Sequence, residues 1–238
     1  MELVHLTVHL MESGMAIIAA AEELKSPVIL QYADSHRHLI SIDVIGPIML
    51  QLAKAAKVPV VVHLDHGASI ESCKHAVDMG FTSVMYDASA KPFEDNVKET
   101  RTVVEYAHEK GASVEAELGH ILTSKAGAAE GSGKSYTREE AYTDPLMAKE
   151  FIEKTEVDAL AIGFGTAHGY LYRKAGAGSG SDYSDKKMRK NIPYVMHGGS
   201  GLSEEEYKTA IKNGICKINY YTYLSLAGGK GVMQYLID

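Results

Sequence analysis

The chain has little cysteine, no tryptophan and no excess of positive charge. Its 238 residues hold two cysteines, Cys73 and Cys216. Two thiols cannot build a disulfide scaffold, and they suit a reducing compartment, so a cytoplasmic location is the expectation. A chain of this length buries a sizeable core without disulfides. No apolar run reaches the roughly 18 residues of a transmembrane helix. The opening stretch mixes Glu2, His5 and His9 with its apolar residues and lacks a basic flank, unlike a signal peptide. Lys and Arg number 24 against 31 Asp and Glu, a formal net charge of −7. That balance excludes a nucleic-acid coat and a polybasic membrane anchor, but not a local pocket for a small anion.

What the sequence does have is a recurring alternation of two patterns. Short, nearly continuous apolar runs occur at 3–8, 27–32, 58–64, 81–87, 112–118, 158–164, 193–197 and 215–219. Such runs are typical of strands buried on both faces of a parallel sheet. Helical patterns separate them, at 14–24, 43–57, 69–79 and 92–110, from Asp144–Pro145 onward, and at 203–213. Gly80 stands where a helix C-cap belongs, Pro145 fits a first helical position, and Ser203 with Glu206 forms a capping box. Repeated βα units imply a parallel sheet with helices outside, and eight of them match a (β/α)8 TIM barrel spanning 1–238 as one domain. A doubly wound open sheet is the alternative, weakened by the lack of a GxGxxG after the first strand. Two Gly-rich stretches, near 123–135 and 174–184, read as flexible loops on the face where barrels place active sites.

Polar side chains fall at the ends of successive strands. HLDHG places Asp65 and His66, the next strand ends in Asp87, and the next carries Glu115 and Glu117. GTAHGY brings His168, HGGSG brings His197, and the last strand ends in Asn219. In a barrel these ends converge on one mouth. His66, His168 and His197 each precede a glycine, and three histidines with an open fourth position are a catalytic zinc site. Asp65 is placed either to orient a ligand or to act as acid and base beside the metal. Asp87 and Glu117 suit a second cation through oxygen ligands. Gly198, Gly199 and Ser200 form a glycine-rich turn ahead of a helix, which suits a phosphate, and the stretch 219–222 can add side-chain donors.

With these residues assembled, the sequence resembles the class II, metal-dependent ketose-bisphosphate aldolases, which include fructose- and tagatose-bisphosphate aldolase. HLDHG (63–67), GFTSVMYDAS (80–89), PFEDNV (92–97), SVEAELG (113–119), YTDP (142–145), VDALAIGFGTAHG (157–169), MHGGSG (196–201) and GICKIN (214–219) come in the family order. The resemblance implies reversible cleavage of a ketose 1,6-bisphosphate to dihydroxyacetone phosphate and glyceraldehyde 3-phosphate through a zinc-stabilised enediolate. It implies Asp65 as the proton-transferring group and His66, His168 and His197 as zinc ligands. Asp87 and Glu117 then match an auxiliary divalent or monovalent cation position, and Gly169, Gly198, Gly199, Ser200, Asn219 and Thr222 the donor-phosphate site. Glu130, the only acid in the loop after Glu117, takes the place of the base that deprotonates the donor. A homodimer or homotetramer acting on sugar phosphates, with no nucleic-acid or membrane partner, is the corresponding expectation.

The chain departs from the family pattern in five places, one being the loop after Glu117, which reads HILTSKAGAAEGSGKS where the family carries a Gly-Gly pair and an acidic residue. Leu6–Thr7 replaces a Phe-Asn pair, Tyr220 and Tyr221 follow the last strand motif, and the 174–184 stretch is of low complexity. The expected barrel is shortened at its C-terminus, and Gly228–Gly229 weakens the last helix. These departures motivate an alternative: a catalytically impaired metal- and phosphate-binding barrel derived from such an aldolase.

Overall fold

Each of the eight apolar runs becomes a parallel strand. The computed structural model describes residues 3–119, 122–123, 142–163, 167–168 and 192–237, and side chains at all of these but 3–5, 122–123 and 167–168. The strands are β1 (Leu3–Thr7), β2 (Val28–Ala33), β3 (Val60–Gly67), β4 (Ser83–Tyr86), β5 (Ser113–Leu118), β7 (Ala159–Ile162), β9 (Tyr194–Met196) and β10 (Ile215–Tyr220). They close in the order β1-β10-β9-β7-β5-β4-β3-β2, the ring of a (β/α)8 barrel rather than an open sheet. A separate two-stranded sheet pairs β6 (Leu122–Thr123) with β8 (Ala167–His168), which the apolar pattern did not announce. The Gly-rich segments 124–135 and 174–184 lie outside the described residues, as do Glu130 and Gly169.

The helices are α1 (Met11–Glu23), α2 (Ile42–Ala55), α3 (Ile70–Met79), α4 (Phe93–Glu109), α5 (Pro145–Thr155), α6 (Glu204–Lys212) and α7 (Thr222–Ile237). Their ends are set by local chemistry. Asp144 caps α5 by accepting from the amides of Leu146 and Met147, and Ser203 caps α6 in a capping box with Glu206. Gly80 ends α3 at φ +106°, a left-handed conformation that suits glycine. Helix α7 continues through Gly228 and Gly229 in spite of their poor propensity, and none of its residues is buried. Among the described residues no helix is long and apolar enough to cross a membrane.

Strand alternation divides the residues into two environments. On β3, Val62 and Leu64 join the large cluster packed against the helices, while the buried His63 and Asp65 alternate with them. On β5, Val114, Ala116 and Leu118 pack in the same outer cluster, and Glu115 and Glu117 take the opposite face. A small cluster of Met85, Ala161 and Val195 from β4, β7 and β9 is the apolar part of the barrel interior. The runs are thus apolar on the helix-facing side, and the inner side turns polar towards the strand ends. In the closed ring β3 and β9 stand opposite each other, four strands apart in either direction.

Candidate metal centre and active site

The two opposed strands deliver the central pair of side chains. His66, near the end of β3, and His197, one residue beyond β9, meet across the mouth with ring centroids 4.7 Å apart and planes at 90°. His66 Nε2 lies 2.9 Å from His197 Nδ1. The other nitrogen of each ring is held by a carboxylate: His66 Nδ1 by Asp87 Oδ2 at 2.8 Å and His197 Nε2 by Glu115 Oε1 at 3.0 Å. Imidazoles that ligate a metal are held in this way, with the second nitrogen on a carboxylate and the first directed at the ion. His66 itself sits at φ +48°, left-handed for a non-glycine residue. Such a conformation persists where the surroundings hold it, and such residues cluster at functional sites. The following Gly67 allows the chain to pass close beneath, because a Cβ there would stand 2.6 Å from both Cys73 Sγ and the Met85 carbonyl.

The charge of the site favours a dication. Glu115 is balanced by Lys217, whose Nζ is 2.5 Å from Oε2. Asp65, Asp87 and Glu117 remain around His66. Burial lowers the proton affinity of the His66 ring, but these three carboxylates outweigh burial and hold its pKa well above the usual value. Burial raises the Asp87 carboxyl, and its bonds to His66 and Ser89 more than reverse that, leaving it far below the usual carboxylate range. His63, by contrast, is pushed well down by burial and by Lys217. A site so rich in carboxylates is neutralised either by a proton on His66 or by a metal cation. Donor atoms of Asp65, His66 and His197 fall within 4.8 Å of one another, and so do those of His66, Asp87 and Glu117. The residues present therefore fit a metal, with a second group of oxygen donors beside it.

Asp65 lines the adjoining cavity and is oriented by Asn219, whose Nδ2 donates to Asp65 Oδ1 at 3.0 Å. The cavity has a volume of about 240 Å³. One wall is the turn of Gly198, Gly199 and Ser200, with Asn219 and Thr222 beside it. Gly198 and Gly201 adopt φ +67° and +99°, and the Tyr207 hydroxyl donates to the Gly199 carbonyl at 2.6 Å, fixing the turn. The other wall includes Thr7 of β1, Gln31 of β2, His36 from the turn after β2, and Tyr221, one residue beyond β10. Gln31 Nε2 donates to Thr7 Oγ1, and Gln31 Oε1 is buried with no hydrogen-bond partner among the described residues. His36 and Tyr221 rings pack at 4.9 Å.

Most of the residues expected from the sequence therefore come together. Asp65, His66, Asp87, Glu117 and His197 form one cluster, and Gly198, Gly199, Ser200, Asn219 and Thr222 border the cavity beside it. His168 belongs to β8, paired through the register of Thr123 with His168, and its side chain is not described. Sequence reasoning noted Glu115 at a strand end without giving it a role, and passed over Lys217, Gln31 and His36. Glu115 had a usable signal, since it stands two residues before Glu117 and so shares its inner face. Gln31 lies within β2, two residues before its end, but glutamine titrates nothing and binds metals poorly, so nothing marked it.

Comparison with known proteins gives the same direction. The family model for class II fructose-bisphosphate aldolase matches residues 2–238. A fructose-bisphosphate aldolase of Geobacillus stearothermophilus is 41% identical over 229 residues, covering 95% of this chain and 77% of that protein. One from Staphylococcus aureus is 38% identical over 233 residues, with the same coverage. The crystal structure of the YdjI aldolase from Escherichia coli K12 superposes with a TM-score of 0.83 at 36% identity, covering 98% of this chain and 80% of that one. The barrel, the clustered carboxylates and histidines and these likenesses agree: the chain belongs to the class II fructose-bisphosphate aldolase family, whose members are carbon–carbon lyases.

Proposed function

We propose that the chain reversibly cleaves a ketose 1,6-bisphosphate, fructose or tagatose, to dihydroxyacetone phosphate and glyceraldehyde 3-phosphate. The observation that carries this reading is the placement of Asp65 and His66 in one cavity with the Gly198–Ser200 turn. His66 and His197, joined by His168, would hold a zinc ion. Bound there, zinc supplies Lewis-acid polarisation of the ketose carbonyl. Asp65, held by Asn219, exchanges a proton with the hydroxyl or aldehyde oxygen at the bond being cleaved or formed. The Gly198–Ser200 turn, with Gly169, Asn219 and Thr222, holds the donor phosphate and so fixes the donor for proton removal. Glu130 is the base proposed for that removal. Asp87 and Glu117 offer oxygen donors for an auxiliary cation. A homodimer or homotetramer in the cytoplasm completes the proposal.

The test is aldol cleavage of both bisphosphates by the full chain, with zinc and with a chelator, followed by trapping of the triose phosphates with NADH. Cleavage that the chelator abolishes, and that Asp65→Ala and His197→Ala each reduce by at least about 100-fold, is the expected result. Zinc bound near one per chain without turnover of either sugar would instead support the impaired, ligand-binding reading, which Tyr221 in the cavity wall favours.

A further inference from the structure

Glu115 and Lys217 have no place in the proposed reaction, yet both lie inside the barrel. Glu115 is 2% exposed and Lys217 7%. A buried charge is costly unless paired, and each is the other's partner, with Lys217 Nζ 2.5 Å from Glu115 Oε2. They come from β5 and β10, three strands apart in the ring, so the pair crosses the interior beneath the mouth.

We infer that Lys217 and Glu115 act as a positioning pair that sets the tautomer of His197 and so leaves its Nδ1 for the metal; this rests on the reading of His197 as a metal ligand. The deduction is a count of hydrogens. An ammonium only donates and a carboxylate only accepts. Lys217 occupies Oε2, and the remaining oxygen, Oε1, lies 3.0 Å from His197 Nε2. The hydrogen in that contact must belong to Nε2. In a neutral imidazole the lone pair is then on Nδ1, the atom that faces His66 Nε2. Asn219 Nδ2 is also 3.2 Å from Nε2. One of its two hydrogens goes to Asp65 Oδ1; the other could reach Nε2 only if that nitrogen carried no hydrogen, and the charged Glu115 oxygen at 3.0 Å is the stronger partner for Nε2. His63 stands on the other side, its Nε2 3.9 Å from Glu115 Oε2, and its Nδ1 meets Ser83 Oγ at 2.8 Å. The charge of Lys217 thus fixes which way the glutamate faces, and the glutamate fixes the ring. An uncharged amide in place of the carboxylate would carry the opposite polarity to His197, because Lys217 would claim its oxygen and turn its NH2 group towards Nε2.

The test uses the full chain and three proteins: wild type, Glu115→Gln, and Glu115→Gln with Lys217→Met. Long-range nitrogen–proton NMR of the histidine-labelled, zinc-free protein reads the His197 tautomer directly. Competition with a chromophoric chelator reads zinc affinity, and thermal melting reports folding. The wild type is expected to carry its hydrogen on Nε2. Glu115→Gln is expected to move it to Nδ1 and to weaken zinc by roughly 10–100-fold. In the double variant the amide is free to turn its oxygen to Nε2, so the tautomer returns and zinc affinity recovers to within about threefold of wild type. A wild-type His197 with its hydrogen on Nδ1 overturns the proposal without need of any variant. So does a Glu115→Gln protein with unchanged tautomer and affinity, or a double variant weaker than the single one, as plain loss of a structural ion pair would give. Wild-type protein with hydrogen on Nε2 that binds no zinc overturns the metal reading of His197, and this role with it.

Discussion

Replacing Gly67 by alanine is expected to damage both the barrel and the metal centre. Gly67 closes β3 and follows His66, and its backbone has no positive φ, so the constraint is one of space. A methyl group there would stand 2.6 Å from Cys73 Sγ, 2.6 Å from the Met85 carbonyl oxygen and 3.1 Å from Leu64 Cδ2. Cys73 is fully buried and cannot swing away, and Met85 is part of β4, held in the ladder. Overpacking of this kind costs about 1–3 kcal/mol, and contact with a fixed backbone oxygen places Gly67→Ala near about 3 kcal/mol. In a domain of this size each kcal/mol moves the melting temperature by about 2–4 °C, so the expected fall is about 6–12 °C. Adding Cys73→Ala removes the sulfur but leaves the carbonyl oxygen, and should return only part of the loss. Thermal melts of zinc-free protein, followed by circular dichroism, make the measurement. A Gly67→Ala protein that melts within about 2 °C of wild type would refute the packing argument.

Other perturbations have equally definite outcomes. Asp87→Ala removes the acceptor for His66 Nδ1 and should weaken zinc by roughly 10–100-fold in chelator competition while the chain remains folded; an unchanged affinity would rule out an orienting role. With a colorimetric thiol reagent near neutral pH, exposed Cys216 should react at once and buried Cys73 only after denaturation, since burial pushes the Cys73 thiol up to about 12. The same shift has a consequence for alkaline stability. The thiol ionises in the unfolded chain from its ordinary value of 9.0, but stays protonated in the native protein up to about 12. The unfolded state therefore releases its proton first, and stability should decline between those limits by up to about 1.4 kcal/mol per pH unit. Burial raises the phenols of Tyr86 and Tyr194 in the same sense. Urea unfolding free energies that stay level from pH 8 to 10.5 would contradict this.

The parts of the molecule that were legible in the sequence are those where one residue type has one use. Continuous apolar runs suit a parallel sheet covered on both faces, and all eight became strands. A capping box at Ser203 and a left-handed glycine at Gly80 end helices by local chemistry that needs no tertiary context. Asp65, His66 and His197 were visible because strand ends converge. Lys217 was not, since a lysine between Cys216 and Ile218 reads as a solvated side chain until the barrel closes and sets it against Glu115. His36 failed to stand out for a related reason: it belongs to a short turn, Asp34–His36, whose path is set when Asp34 Oδ2 accepts from the Ala68 amide, 34 residues away. Gly228 and Gly229, expected to weaken the last helix, lie inside α7.

The meeting of His66 and His197 joins residues 131 positions apart from opposite sides of the ring. A metal held between them is then a reversible cross-link, the non-covalent counterpart of a long-range disulfide. It ties the first half of the barrel to the second, and its contribution grows with the logarithm of free metal over its dissociation constant. The tolerance of this chain to mutation is accordingly a property of the buffer as much as of the sequence. A screen in excess zinc would pass substitutions that the same screen in a chelator rejects, and the difference between the two lists would map the residues whose packing the metal conceals.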